Sequence, residues 1–175
     1  MALAYTIKNQ WAVHYVTFTV HQWVDVFTRS AYTEILLNSI KHCQKNRGLE
    51  VYAWVIMSNH CHLILKAEKG DLSDIIRDLK KFTSKSIYQA IKNNKQESRR
   101  KWLLLTLSYE GRVWFWEEGY HGIEIESDRM FESKVGYVHQ NPVRAGIVLQ
   151  EQDYLLSSAA DFYGERKGAL DLSIF

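Results

Sequence analysis

Proline is nearly absent from this chain of 175 residues, which holds one, Pro142, and glycine is sparse at nine. So little turn and linker material leaves no stretch that reads as a hinge between two bodies, and the length suits one domain, 1–175, with a proper core. Two cysteines, Cys43 and Cys61, are too few for a disulfide scaffold, so a reduced, cytoplasmic protein is expected. Long apolar runs are missing as well. None approaches the ~18 residues of a membrane-spanning helix. The first segment, Met1 to Trp11, has neither the basic nor the apolar region of a secretory signal. A large charge of one sign is also lacking, since 22 basic and 20 acidic residues leave a formal net charge of +2. Net charge therefore does not by itself announce a nucleic-acid partner. What is present is an ordinary globular mix, 46% hydrophobic and 24% charged, which excludes disordered and fibrous classes.

Periodicity predicts the elements. Tyr15 to Val20 (YVTFTV) alternates β-branched and aromatic residues and reads as a strand that buries Val16, Phe18 and Val20. Ala31 to Lys45 carries Ala31, Ile35, Leu36, Ile40 and Cys43 at helical spacing, and Gly48 is suited to its C-cap. Leu49 to Met57 is apolar on both faces, as a central strand should be. After the turn pair Ser58-Asn59, HCHLIL reads as a strand pairing back on it. Asp71 is placed to cap a helix with the stripe Leu72, Ile75, Ile76, Leu79, Phe82, Tyr88 and Ile91. Lys92 to Lys101 reads as a polar loop or fraying end, Arg112 to Trp116 (RVWFW) as a fourth strand, and Asp128 to Asn141 as a helix burying Phe131, Val135 and Val138. Residues 142–175 are expected to wrap the domain as an irregular tail. The order strand, helix, strand, strand, helix, strand, helix predicts an α+β, ferredoxin-like split βαβ fold. Its antiparallel sheet would have helices packed on one face and the other face open to a ligand. That fold hosts many functions, so function must be argued from side chains.

Three constellations could carry chemistry. His60 and His62 flank Cys61; on a strand, i and i+2 point to one side about 6.5–7 Å apart, so two imidazoles can converge on one divalent ion while Cys61 points into the core. With seven histidines such a pair also arises by chance. On the last helix, Tyr137 lies roughly 100° or more from the apolar stripe, and Asn141 and Lys134 share its flank. A tyrosine edging the core is the bland version. Pro142 disfavours helical angles at Asn141, which would then cap a turn or offer its amide oxygen to a metal. The third constellation is charge. Between Arg77 and Lys101 nine basic residues face two acids, Asp78 and Glu97, with Thr83, Ser84, Ser86 and Tyr88 interleaved. Arg77, Lys80, Lys81, Lys85, Arg99, Arg100 and Lys101 are thereby candidates for phosphate contacts, against the alternative of a merely solvated face. His121, Glu117 and Glu118 are weaker candidates, better suited to turn and surface roles. Trp114, Trp116 and Tyr120 are either stacking platforms for bases or packing residues.

In combination, VIMSNHCHLIL, DLKKFTSK, YVHQNPVRAG and DYLLSSA occur in this order. The pattern, running from the Tyr15 strand to Ser158, resembles the REP-associated tyrosine transposases. These are single-strand transposases with a histidine–hydrophobic–histidine motif. Ser58 stands where that family usually has proline, and Cys61 where it often has valine. The resemblance implies a ferredoxin-like catalytic domain, a divalent metal (Mg2+ or Mn2+) and a single-stranded DNA substrate with a hairpin, handled by a monomer or homodimer. It makes His60 and His62 metal ligands and Tyr137 the nucleophile. Asn141 becomes the third ligand, where insertion-sequence relatives carry glutamine. The implied chemistry is nicking and rejoining of DNA through a 5′-phosphotyrosine link. Two other classes fit parts of the pattern. A non-catalytic nucleic-acid-binding module of the same fold needs the basic face but neither metal nor Tyr137. A hydrolase acting through bound water needs the histidines and a carboxylate base.

Overall fold

Four antiparallel strands form the main sheet of the computed structural model, which describes residues 7–164 and 166–175. Residues 1–6, on which part of the N-terminal expectation rests, lie outside the described residues. The strands are β1 (His14–Thr19), β2 (Leu49–Ile56), β3 (His60–Ala67) and β6 (His121–Glu124), in the spatial order β2-β3-β1-β6. Helices α1 (Ser30–Arg47) and α2 (Leu72–Asn93) supply the two crossovers of the split βαβ arrangement. As expected, α1 ends at Gly48, whose φ of +67° is the left-handed C-cap conformation that glycine adopts without a Cβ penalty. Asp71 holds the N-cap position of α2, but its carboxylate is spent on Arg47 (3.2 Å) rather than on the helix.

Strand alternation divides the core in two. Val16 and Phe18 of β1, Trp54 and Ile56 of β2, and Cys61, Leu63 and Leu65 of β3 pack with α1 and α2. Tyr15, Val55 and Ile64 point the opposite way. That second face is not left open. Helix α4 (Asp128–Arg144) lies on it and buries Val135 and Val138, so the sheet carries helices on both sides. This difference from expectation matters, because α4 is what brings Tyr137 to the sheet.

Several other expectations shift. The fourth strand of the sheet is β6, not Arg112–Trp116. Its HGIE sequence, with Gly122 opposite Val16, is too short and polar to show a strand pattern. Arg112–Val113 is β5, paired with β4 (Ser108–Tyr109) in a separate hairpin. Phe115 and Trp116 are buried as the chain passes the end of β1, with one isolated bridge from Val20 to Trp116. The loop expected through Lys101 instead enters α3 (Arg100–Thr106), held by the buried carboxylate of Glu97, which bonds Arg29 (2.6 Å), Arg99 and Tyr32. On α2 the stripe runs through Thr83 and Ile87, and Phe82 is 60% exposed.

Strand β2 is buried on both faces, yet it sits at the sheet's edge. Its second face is covered by α4, and its free edge by the residues beyond α4. Ile56 and Ser158 bond Leu156 and Trp54 through the backbone, and Ser173 donates to the Val51 carbonyl (2.8 Å). These residues include a 3-10 turn (Glu151–Asp153) and the one-turn helix α5 (Ala159–Phe162). Helix α4 runs through Pro142 rather than ending at Asn141. The proline removes one donor, but Ala145 and Ile147 bond the Asn141 and Pro142 carbonyls and continue the turn. Both cysteines are free and buried. No helix among the described residues is long and apolar enough to cross a membrane.

Candidate active site

Strand β3 sets the two histidines. Cys61 is fully buried on the helical side, so His60 and His62 face α4, their ring centroids 4.9 Å apart. Each ring is fixed from behind. Asn59 donates its Nδ2 to the Trp23 carbonyl (3.2 Å), which turns its Oδ1 toward His60 Nδ1 at 2.7 Å. An amide oxygen only accepts, so His60 carries its proton on Nδ1 and keeps the Nε2 lone pair. His62 Nδ1 lies 2.7 Å from the Tyr15 hydroxyl and 2.8 Å from that of Thr17, while Thr17 donates to Tyr15. The two hydroxyls hold the Nδ1 edge of His62, so its Nε2 edge is left for another partner. Burial, together with the charges of His60, Arg144 and Lys134, pulls His62 down to a pKa of about 3. Burial lowers His60 too, partly opposed by its hydrogen bond with Asn141. Both imidazoles are therefore neutral at physiological pH, as metal ligands must be.

Helix α4 delivers the remaining groups. Tyr137 is 44% exposed, with its ring 5.5 Å from that of His62 and 6.1 Å from that of Tyr15. Arg144 lays its guanidinium 4.2 Å over the Tyr137 ring and donates to the Tyr137 carbonyl (2.9 Å). Lys134 sits 4.8 Å over the Tyr15 ring. The backbone carbonyl of Asn141 is taken by Ala145, so what Asn141 offers the site is its side-chain amide. Among the described residues no three His, Cys, Asp or Glu side chains gather as a metal cluster. The available donor set is two neutral imidazoles and one amide oxygen. That set fits a divalent ion of borderline hardness whose shell is completed by water or substrate oxygens.

Among the residues marked for DNA, the structure separates exposed cations from engaged ones. Lys81 and Lys85 line a cleft of about 660 Å³ with Arg112 and Trp114, between α2 and the β4–β5 hairpin. Lys80 is turned inward. Its ammonium bonds the Glu117 and Gly119 carbonyls, lies over the Phe18 ring, and is pulled down by burial to a pKa of about 8. Arg77 pairs with Asp74 and Asp78. Arg99 is occupied by Glu97, the Asp25 carbonyl and Thr28, and Arg100 reaches the Lys92 carbonyl, while Lys101 is exposed on α3. Trp116 is buried with its indole N–H on Thr83, and half-buried Tyr120 meets Phe18 edge to face. Glu117 accepts from the Gln22 backbone and faces His21 rather than the histidine pair, and His121 is exposed on β6.

Tyr15, Thr17, Asn59 and Arg144 are parts of this site to which the sequence reading gave no role, although Asn59 and Arg144 lie within the quoted motifs. Alternation alone could have put Tyr15 and Thr17 opposite Val16 and Phe18, but nothing local shows that β1 pairs with β3 so that Thr17 meets His62. The chain is similar to known proteins. The family described as "transposase IS200 like" matches residues 7–141, about three quarters of the chain. The structure of a REP-associated tyrosine transposase bound to a REP hairpin superposes with a TM-score of 0.65 at 20% identity, covering 94% of this chain and 88% of that one. A candidate transposase from Deinococcus radiodurans gives a TM-score of 0.45 at 18% identity, over 72% of this chain and 87% of that one. No curated protein matches the sequence.

Proposed function

Because the chain belongs to the IS200-like transposase family, we propose that it nicks and rejoins single-stranded DNA at hairpin repeats, with Tyr137 as nucleophile. The observation that carries this reading is the contrast between two phenols beside one histidine pair. Tyr15 is buried, hydrogen-bonded to His62 and raised by that burial to a pKa of about 12. Tyr137 is open to solvent on the outer side of the same site. A group that must reach a phosphodiester and then hold it has to be the accessible one.

In the cleavage step the Tyr137 Oη forms a bond to phosphorus and the bond from phosphorus to the 3′ oxygen breaks. The phenolic proton is lost to solvent, and the leaving oxygen takes up a proton as a 3′-hydroxyl. The 5′-phosphotyrosine keeps the ester, so a second strand's 3′-hydroxyl can reverse the step and join new DNA. Tyrosine's usual pKa of ~10 makes the phenol a weak nucleophile at neutral pH. Arg144, stacked on its ring, holds positive charge where phenolate and phosphate charge develop. His60, His62 and Asn141 would hold Mg2+ or Mn2+, which when bound supplies Lewis acidity to the scissile phosphate. Asn59, Tyr15 and Thr17 hold the two imidazoles by their Nδ1 edges, which orients both rings for such an ion. Lys81, Lys85 and Arg112 offer the substrate backbone cations along a cleft that Glu117 and Glu118 also line.

The hairpin is proposed from the fold neighbour, which is described with a REP hairpin bound. Incubating the protein with a labelled REP hairpin carrying single-stranded flanks, in Mn2+, tests the reading. A covalent protein–DNA adduct that disappears in Tyr137→Phe is the expected result. Retained binding with no adduct in the parent would instead make the chain a non-catalytic DNA binder.

A further inference from the structure

We propose that Trp23 is the stacking platform of a nucleobase subsite at the catalytic centre, holding the unpaired base next to the phosphate that is cut. This rests on the strand-cleavage reading above. Three observations lead to it. The indole is 63% exposed, yet its ring lies 5.8 Å from that of His60, so a large apolar face stands open to solvent beside a proposed metal ligand. The backbone beneath it is held in a conformation that bulky residues avoid: Gln22 has φ +54° and Trp23 φ +56°. Such a pair persists only where the surroundings impose it. Here they do, because Asn59 bonds the Trp23 carbonyl, the Glu117 carboxylate accepts from the Gln22 N–H (2.7 Å), and His21 N–H donates to the Phe115 carbonyl (2.8 Å). Those clamps aim the indole outward, where core packing gives no reason for it.

The third observation is continuity. The neighbouring His21 ring is 6.1 Å from Trp114, and Trp114 lines the cleft with Lys81, Lys85 and Arg112. A single strand whose phosphates follow the lysines is thus led by aromatic rings around the end of the sheet to the histidine pair. Asn59 ties the two functions together, since one amide orients His60 and holds the turn that carries Trp23. Every base has a π-face, so a platform of this kind fixes the position of a nucleotide without reading its identity.

Two labelled probes test the subsite: the oligonucleotide dT12, and a strand of twelve abasic nucleotides with the same phosphates. Binding is measured in the Tyr137→Phe background without metal, so the readout does not depend on cleavage. Adding Trp23→Ala is expected to weaken dT12 binding about tenfold and to leave the abasic strand unchanged, with Trp23→Phe recovering most of the loss. An equal loss on both probes, no loss on dT12, or no preference of the parent background for dT12 over the abasic strand each overturns the proposal. The hairpin adduct assay separates it from the reading it rests on. With Tyr137 intact, no adduct but Trp23-dependent dT12 binding removes strand cleavage and keeps the subsite. An adduct together with unchanged dT12 affinity in Trp23→Ala does the reverse.

Discussion

Two phenols face the histidine pair, and their surroundings rather than their distances decide their roles. Tyr15 is a support: its hydroxyl is one of the two oxygens against His62 Nδ1, and removing it leaves Thr17 to hold the ring. Tyr15→Phe is therefore expected to cost about 1 kcal/mol of stability and to reduce, not abolish, adduct formation. Tyr137→Phe should leave the thermal midpoint unchanged and abolish the adduct, because the hydroxyl it removes is on an exposed ring. Chemical denaturation for Tyr15→Phe, a thermal melt for Tyr137→Phe and a denaturing gel on labelled DNA for both read these outcomes. A parent-like adduct in Tyr137→Phe would move the nucleophile elsewhere. That His60 and His62 share one strand face and that Tyr137 lies off the apolar stripe was legible in local periods, two for the strand and 3.6 for the helix, while the roles expected of them came from the resemblance. The contacts of Trp23 and Asn59 were not legible. Their importance comes from a turn that meets the start of β3 through tertiary hydrogen bonds, and no sequence window spans both.

At the scale of elements, most strands and helices could be read from alternation and stripes, and the misses share a cause. The HGIE strand is stabilised by pairing with β1, distant in sequence, and α4 continues through Pro142 on backbone bonds from Ala145 and Ile147; both override weak or contrary local signals. The basic run on α2 shows the same limit, because counting charges does not tell which ones face inward. Lys81→Gln with Lys85→Gln should lower single-strand affinity and flatten its salt dependence by roughly 0.7 for each phosphate no longer neutralised, measured by anisotropy across salt concentrations. Lys80→Gln should leave that slope intact and lower the melting temperature, since its ammonium bridges two carbonyls. A smaller slope in Lys80→Gln would return it to the DNA surface. Glu97 gives the loop before α3 a pH dependence. Burial raises its carboxyl, but Arg29 and Arg99 bring it net below the ordinary carboxylate range. Its contribution is thus fully present above the unfolded value of about 4.3 and fades as pH falls through the lower folded value. Glu97→Gln should cost about 2 kcal/mol at pH 7 and less under acid, by urea titration at both pH values.

For the whole molecule, the edge of β2 is the exposed liability, and the segment beyond α4 is what closes it. Leu170 is 1% exposed, Ser173 bonds Val51, and Phe175 stacks on Phe131 at 4.0 Å. Removing residues 166–175 should lower the melting temperature by roughly 10 °C and make the protein associate, as calorimetry and light scattering would report. A truncated chain that associates no more than the parent, with its melting temperature unchanged, would show that the edge needs no cover. The same closure sets an order of events in time. The Trp54 amide meets the Ser158 hydroxyl across 104 positions of chain, so that contact closes a long loop and gains nothing until the loop has formed. The strand bearing the histidine pair can fold back on β2 early, as a local hairpin. Tyr137 and the covering segment must arrive from far along the chain. During synthesis the nascent protein therefore passes through a stage with a paired sheet, an open edge and an unfinished candidate site, able to associate with its own copies before Tyr137 meets the histidine pair.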